Sequence, residues 1–167
     1  MRRFPMILTA AFFATTWTTL AVAQQPAASE PKTYSSAADV AALIAKAQAE
    51  RKDQPTISQR LLQLAPYNAN LEYRASVGPA SVHETEAELF YVIEGSATMI
   101  TGGKLVNEKR TNAENLSGTA IEGGMSRAVA KGDLIIVPEK TPHWFSAING
   151  TIVLMSLHVP RPVGAAR

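Results

Sequence analysis

Residues 81–95 read SVHETEAELFYVIEG. The run from Glu88 to Glu94 is dense in aromatic and β-branched side chains and stops at Gly95, the composition of a short β-strand closed by a turn residue. The same texture recurs on both sides. Downstream lie AVAKGDLIIVP, HWFSAI and TIVLMSLHV; upstream lie ISQRLLQLA and NLEYRAS. Strand-length runs with no helical period between them predict an all-β antiparallel barrel or jelly roll over residues 57–160. Asn149-Gly150 separates the last two runs, and Asn-Gly is a strong two-residue hairpin signal, so a chain reversal is expected there.

Only one segment has a helical period. In SSAADVAALIAKAQAERK, Ser36 and Asp39 stand in capping-box spacing, and Val40, Leu43, Ile44 and Ala47 fall on one face. One amphipathic helix over about residues 37–51 is predicted, packed on the outside of the β-domain. Residues 101–127 are polar, glycine-flanked and too long for a hairpin loop, which leaves a lid over a pocket and a mobile connection as the two readings. Asn115-Leu-Ser matches the glycosylation pattern, to which a leader of bacterial appearance gives no weight.

The chain begins MRRFPMILTAAFFATTWTTLAVAQQ. Two arginines, an apolar run and Ala21-Val22-Ala23 form the three-part layout of a secretory leader cut after Ala23. The expected organisation is a leader at 1–23, a polar stub and helix at 24–56, the β-domain at 57–160 and a tail at 161–167. Cleavage leaves 144 of the 167 residues, and the 14 remaining Lys and Arg balance 14 Asp and Glu. The basic character therefore belongs to the leader. Nucleic acid and an anionic membrane surface lose their support as partners, and no stable membrane insertion is expected after cleavage. The expected location is periplasmic or secreted. Cysteine is absent, which excludes disulfides and thiolate catalysis.

Three histidines occur: His83, His143 and His158. If the two hairpins carrying them lie side by side, His83, Glu88 and His143 converge. Two imidazoles and a carboxylate with open positions suit non-haem iron and related divalent ions. In TIVLMSLHVP, alternation places Ile152, Leu154, Ser156 and His158 on one face, where His158 is a substitute ligand, a general base or a rim residue. Arg74 is either a carboxylate anchor or a surface charge. Glu84 and Glu86 are expected in a solvent-facing loop. Phe90, Tyr91, Trp144 and Phe145 are expected to fill the barrel.

The spacing resembles the cupin family, whose motifs run G-x5-H-x-H-x3-4-E-x6-G and G-x5-P-x-G-x2-H-x3-N. His83, Glu88 and Gly95 match the first; Gly132, Pro138 and His143 match the second. The resemblance covers about residues 62–160. Ser81 stands at the first histidine, Ala75 at the opening glycine, Lys140 at the second motif's glycine and Ala147 at its asparagine. The resemblance implies a barrel with a small-molecule pocket, a homodimer, and a divalent Fe, Mn, Ni or Zn ion on His83, Glu88 and His143. Ser81 would then bond a metal-bound water. Two functions follow: a metal-dependent enzyme of dioxygenase, isomerase or lyase type, or a metal-free small-molecule binder in which Ser81 marks the lost ligand.

Overall fold

The computed structural model describes residues 30–161. The leader lies outside the described residues, as does the tail beyond Arg161. Helix α1 spans Ala37–Glu50 and opens on a reciprocal cap: Asp39 N donates to Ser36 Oγ at 3.1 Å, and Ser36 N donates to Asp39 Oδ2 at 2.9 Å. Its apolar face, Val40, Leu43, Ile44 and buried Ala47, packs on Leu71, Tyr73 and Val153. Among the described residues no helix is long and apolar enough to cross a membrane.

Eleven strands follow: β1 Thr56–Leu64, β2 Tyr67–Arg74, β3 Ala80–His83, β4 Glu86–Thr101, β5 Lys104–Val106, β6 Lys109–Arg110, β7 Asn115–Gly118, β8 Ala120–Glu122, β9 Met125–Ala130, β10 Leu134–Val137 and β11 His143–Pro160. The two longest, β4 and β11, run antiparallel from Glu86↔Pro160 to Thr101↔His143 and form the spine. Both bend midway and so belong to two layers. In one layer the order is β1-β2-β11-β4-β10; in the other it is β6-β7-β3-β11-β4-β9. The result is a jelly roll. Among the described residues the ladder stays open between β1 and β6.

The core lies between the layers. Phe90, Val92, Ile135, Val137, Ile152 and Leu154 come from the first, and Ala97, Met99, Val129 and Phe145 from the second. Phe90 and Phe145 meet edge to face with centroids 5.6 Å apart, as ring quadrupoles favour. Tyr91 departs from expectation: one residue out of phase with Phe90, it points to the outer face. Trp144 sits half-buried and donates from Nε1 to Gly78 O at 2.8 Å.

Two expectations need correction. Asn149-Gly150 makes no reversal, because residues on both sides of it pair with β4 in one antiparallel direction, with extra residues on β11 between Ile148 and Ile152. The dipeptide marks a bend inside one strand, where Asn149 Nδ2 donates to Ser96 Oγ at 2.9 Å. Residues 101–127 are not a bare connection. They hold β5 to β8 and the start of β9, with β7 paired to β3 and β5 to β8. These strands are short and polar, so the alternation that reveals a half-buried strand is missing from the sequence.

Candidate metal centre

Four side chains converge where β3, β4 and β11 come together. His83 is the last residue of β3, Glu88 the third of β4, and His143 and His158 stand near opposite ends of β11. His83 and Glu88 do not share a ladder, as a hairpin would require, because β3 pairs with β7 and β11. They meet instead through the short turn between β3 and β4. His83 Nε2 and His143 Nε2 each lie 3.1 Å from Glu88 Oε2, and His158 Nε2 lies 3.6 Å from Glu88 Oε1. The donor atoms of His83, Glu88 and His158 all fall within 4.8 Å of one another.

Each imidazole is fixed from behind. Asn115 Oδ1 lies 2.7 Å from His83 Nδ1, Thr141 O lies 3.2 Å from His143 Nδ1, and Glu86 Oε1 lies 2.6 Å from His158 Nδ1. All three partners are acceptors, so every Nδ1 carries the proton and donates it, and in the neutral ring every Nε2 presents a lone pair. The lone pairs point at one carboxylate. Such an arrangement needs either a proton on each ring or a cation among them. Three imidazolium ions beside Glu88 and Glu86 would leave a net positive charge in a mostly buried place, which is costly.

A single divalent ion suits His83, Glu88 and His158, and His143 reaches the same carboxylate from the other side of His83 at 3.1 Å. Ligands bonded to one ion at about 2.1 Å and mutual angles of roughly 90–110° stand about 3.0–3.5 Å apart, close to the observed spacings. The donor set therefore fits a divalent metal, with the outward hydrogen bonds that orient histidine ligands.

Glu88 is 3% exposed and His143 5%. Burial opposes ionisation of Glu88, but hydrogen bonds from His143 and His83, the charge of His143 and a close hydrogen bond from Ser156 Oγ outweigh it. They hold the carboxyl far below its usual range. Burial likewise opposes a charged His83; bonds to Glu88 and Asn115 and the charges of Glu88 and Glu86 prevail, so its titration moves up.

His158 belongs to this cluster; of the three roles left open for it, only the solvent-facing rim is lost. Glu86 does not face solvent from a loop: it opens β4 and orients His158. Glu84 does face solvent, paired with Arg110 at 2.6 Å. Ser81 lies directly opposite His143 on the inner face, two residues from His83, and its hydroxyl makes no hydrogen bond among the described residues. Arg74 stands apart from the cluster. Its Nε and Nη2 both donate to Glu72 Oε2, at 2.9 and 2.6 Å, and its guanidinium covers the Phe145 ring at 4.8 Å. Asn115 escaped the sequence reading because the run around it carries no metal motif.

Comparison with solved structures returns distant likenesses only. KdgF from Halomonas sp. is 17% identical with a TM-score of 0.49, covering 66% of this chain and 84% of that one. A cupin superfamily protein from Desulfitobacterium hafniense DCB-2 is 13% identical with a TM-score of 0.47, covering 65% and 81%. Hydroxypropylphosphonic acid epoxidase from S. wedmorenis is 18% identical with a TM-score of 0.48; 62% of this chain matches, spanning about half (50%) of the epoxidase. Likenesses this distant carry nothing over to this chain. No curated protein matches the sequence. The family model described as Cupin matches residues 47–162, more than half of the chain, and the chain belongs to the cupin family.

Proposed function

We propose that this chain is an exported, metal-dependent cupin enzyme acting on a small molecule, with His83, Glu88, His143 and His158 holding one divalent ion. The observation that carries this reading is the set of three imidazoles, each tied back through Nδ1, whose Nε2 atoms meet on one buried carboxylate. A bound Fe, Mn, Ni or Zn ion would supply Lewis acidity toward a substrate oxygen or, for a redox-active metal, oxygen chemistry. The protein's part is to fix and desolvate the donors. Ser156 anchors Glu88, Glu86 anchors His158, and the free hydroxyl of Ser81 offers a hydrogen bond to a group bound beside His143. His158 supplies from the last strand the third imidazole that Ser81 removes from the first motif. The leader-like sequence at 1–23 supports export, and the exposed apolar side chains Leu134 and Ile136 support a homodimer.

The test is elemental analysis of the mature protein purified without chelator, beside His83→Ala/His143→Ala and His158→Ala. The parent carries near one equivalent of a single transition metal, the double variant none, and His158→Ala a reduced amount. Full occupancy in His158→Ala would reduce the ligand set to His83, Glu88 and His143. A parent that stays empty after reconstitution sinks the enzyme reading and leaves the binder, the function that Ser81 favours.

A further inference from the structure

Beside the histidine cluster, β2 presents a row of polar side chains to the inside of the jelly roll. The register pairs Asn68 with His158, Asn70 with Ser156, Glu72 with Leu154 and Arg74 with Ile152. Directly opposed residues point to the same side of a sheet, and His158, Ser156, Leu154 and Ile152 all face inward. Asn68 and Asn70 therefore stand one strand away from His158 and from the serine that holds Glu88. On the next strand Arg60 lies opposite Asn70 on this same face. The contact of Arg74 with Phe145, a core ring of the opposite layer, confirms which way the row points.

The polar atoms of this row are unequally committed. Arg74 and Glu72 satisfy each other. Asn68 and Asn70 are half-buried, yet neither carboxamide has a hydrogen-bond partner among the described residues, and Arg60 has no carboxylate partner there. Half-buried amides ordinarily find partners in the protein, in water or in a ligand. A carboxamide both donates and accepts, which matches hydroxyl groups; a guanidinium only donates and matches an anion. Side chains two apart on a strand are separated by about 6.6 Å, so one ligand touching both amides carries its polar groups along a chain of several atoms.

We propose that Asn68, Asn70 and Arg60 form a specificity wall for a small polyhydroxylated anion, a hydroxy acid of sugar-like length. Its hydroxyls lie on the two amides and its charged end on Arg60, at the solvent side. This deepens the metal-enzyme reading and rests on it for what happens at the histidine cluster. It assigns the carboxylate anchor to Arg60, because Glu72 already occupies Arg74.

The test is calorimetric titration of D-gluconate, D-glucitol and hexanoate into metal-replete protein, with metal content measured on every variant. Gluconate binds more tightly than either the uncharged polyol or the unhydroxylated acid. Asn68→Leu and Asn70→Leu each weaken gluconate and glucitol by roughly fivefold, while Arg60→Gln weakens gluconate by about tenfold and leaves glucitol within about twofold. Arg60→Gln is a surface change and carries the test should an asparagine variant misfold. Parental gluconate affinity in folded variants, or no preference for gluconate in the parent, overturns the wall and leaves the metal reading standing if metal content is normal. If the parent holds no metal, the metal reading falls, and the same titrations on metal-free protein still decide the wall.

Discussion

Asn115 touches no ligand position, yet it determines which nitrogen of His83 is free. Its Oδ1 takes the Nδ1 proton at 2.7 Å and turns Nε2 toward Glu88. Replacing such a partner costs roughly 10–100-fold in metal affinity, so Asn115→Leu should bind metal that much more weakly, and Asn115→Asp, which keeps an acceptor, should recover most of the loss. Competition against a chromophoric chelator measures both; equal affinity in parent and Asn115→Leu would show that the contact does not orient the ring. His83, Glu88 and His143 were legible because motif spacing fixes them within a few residues. His158 was half legible: period-two alternation placed it with Ile152 and Leu154, whose burial draws it inside, but a single histidine near a strand end carries no spacing of its own. Asn115 and Glu86 were not legible. Their roles depend on which strands become neighbours, and β7 reaches β3 only through long-range pairing.

The spine of β4 and β11 explains why an Asn-Gly pair could be misread. Local sequence at Asn149-Gly150 favours a turn, but continuous pairing with β4 on both sides converts it into a bend that carries one strand from one layer to the other. Gly95 is the matching bend in β4, with φ +81°, and a Cβ there would lie 2.0 Å from Thr151 O and 3.0 Å from Ile152 Cα. Gly150, with φ +74°, has nothing within 4 Å of such an atom. The two positions share a backbone strain and differ in packing. Gly150→Ala should therefore cost about 1 kcal/mol, and Gly95→Ala about 3 kcal/mol, since backbone atoms of both strands must shift. Urea denaturation checks this, and equal losses would mean that the bend in β4 relaxes freely. The long strands and the helix were readable because burial gives them a period; β5 to β8 were not, because runs of two to four residues are too short to show one and pairing alone defines them.

At the scale of the whole fold, an apolar face is left uncovered among the described residues. Helix α1 shields Leu71, Tyr73 and Val153 on the outside of the first layer, but it stops short of β10, where Leu134 is 69% exposed and Ile136 64%, with Tyr91 beside them at 38%. Leu134 pairs with Tyr91 and Ile136 with Leu89, so these side chains form one patch. Among the described residues β10 pairs only with β4, which makes it an edge strand as well. Exposed apolar edge strands invite association. A second copy docked about a two-fold axis would cover both patches and pair both edges, the self-complementary solution that single-chain assemblies favour. The inward neighbours Ile135 and Val137 belong to the core, so the outward pair can be changed without touching it. Leu134→Lys/Ile136→Lys should convert a dimer of the mature protein into a folded monomer, read by light scattering after size exclusion. Its metal content should stay at the parental level, because the histidine cluster lies on the other side of the sheet. A parent that is monomeric at tens of micromolar, or a double variant that still dimerises, would move the interface elsewhere. Loss of metal on dissociation would show that the second copy supports the site.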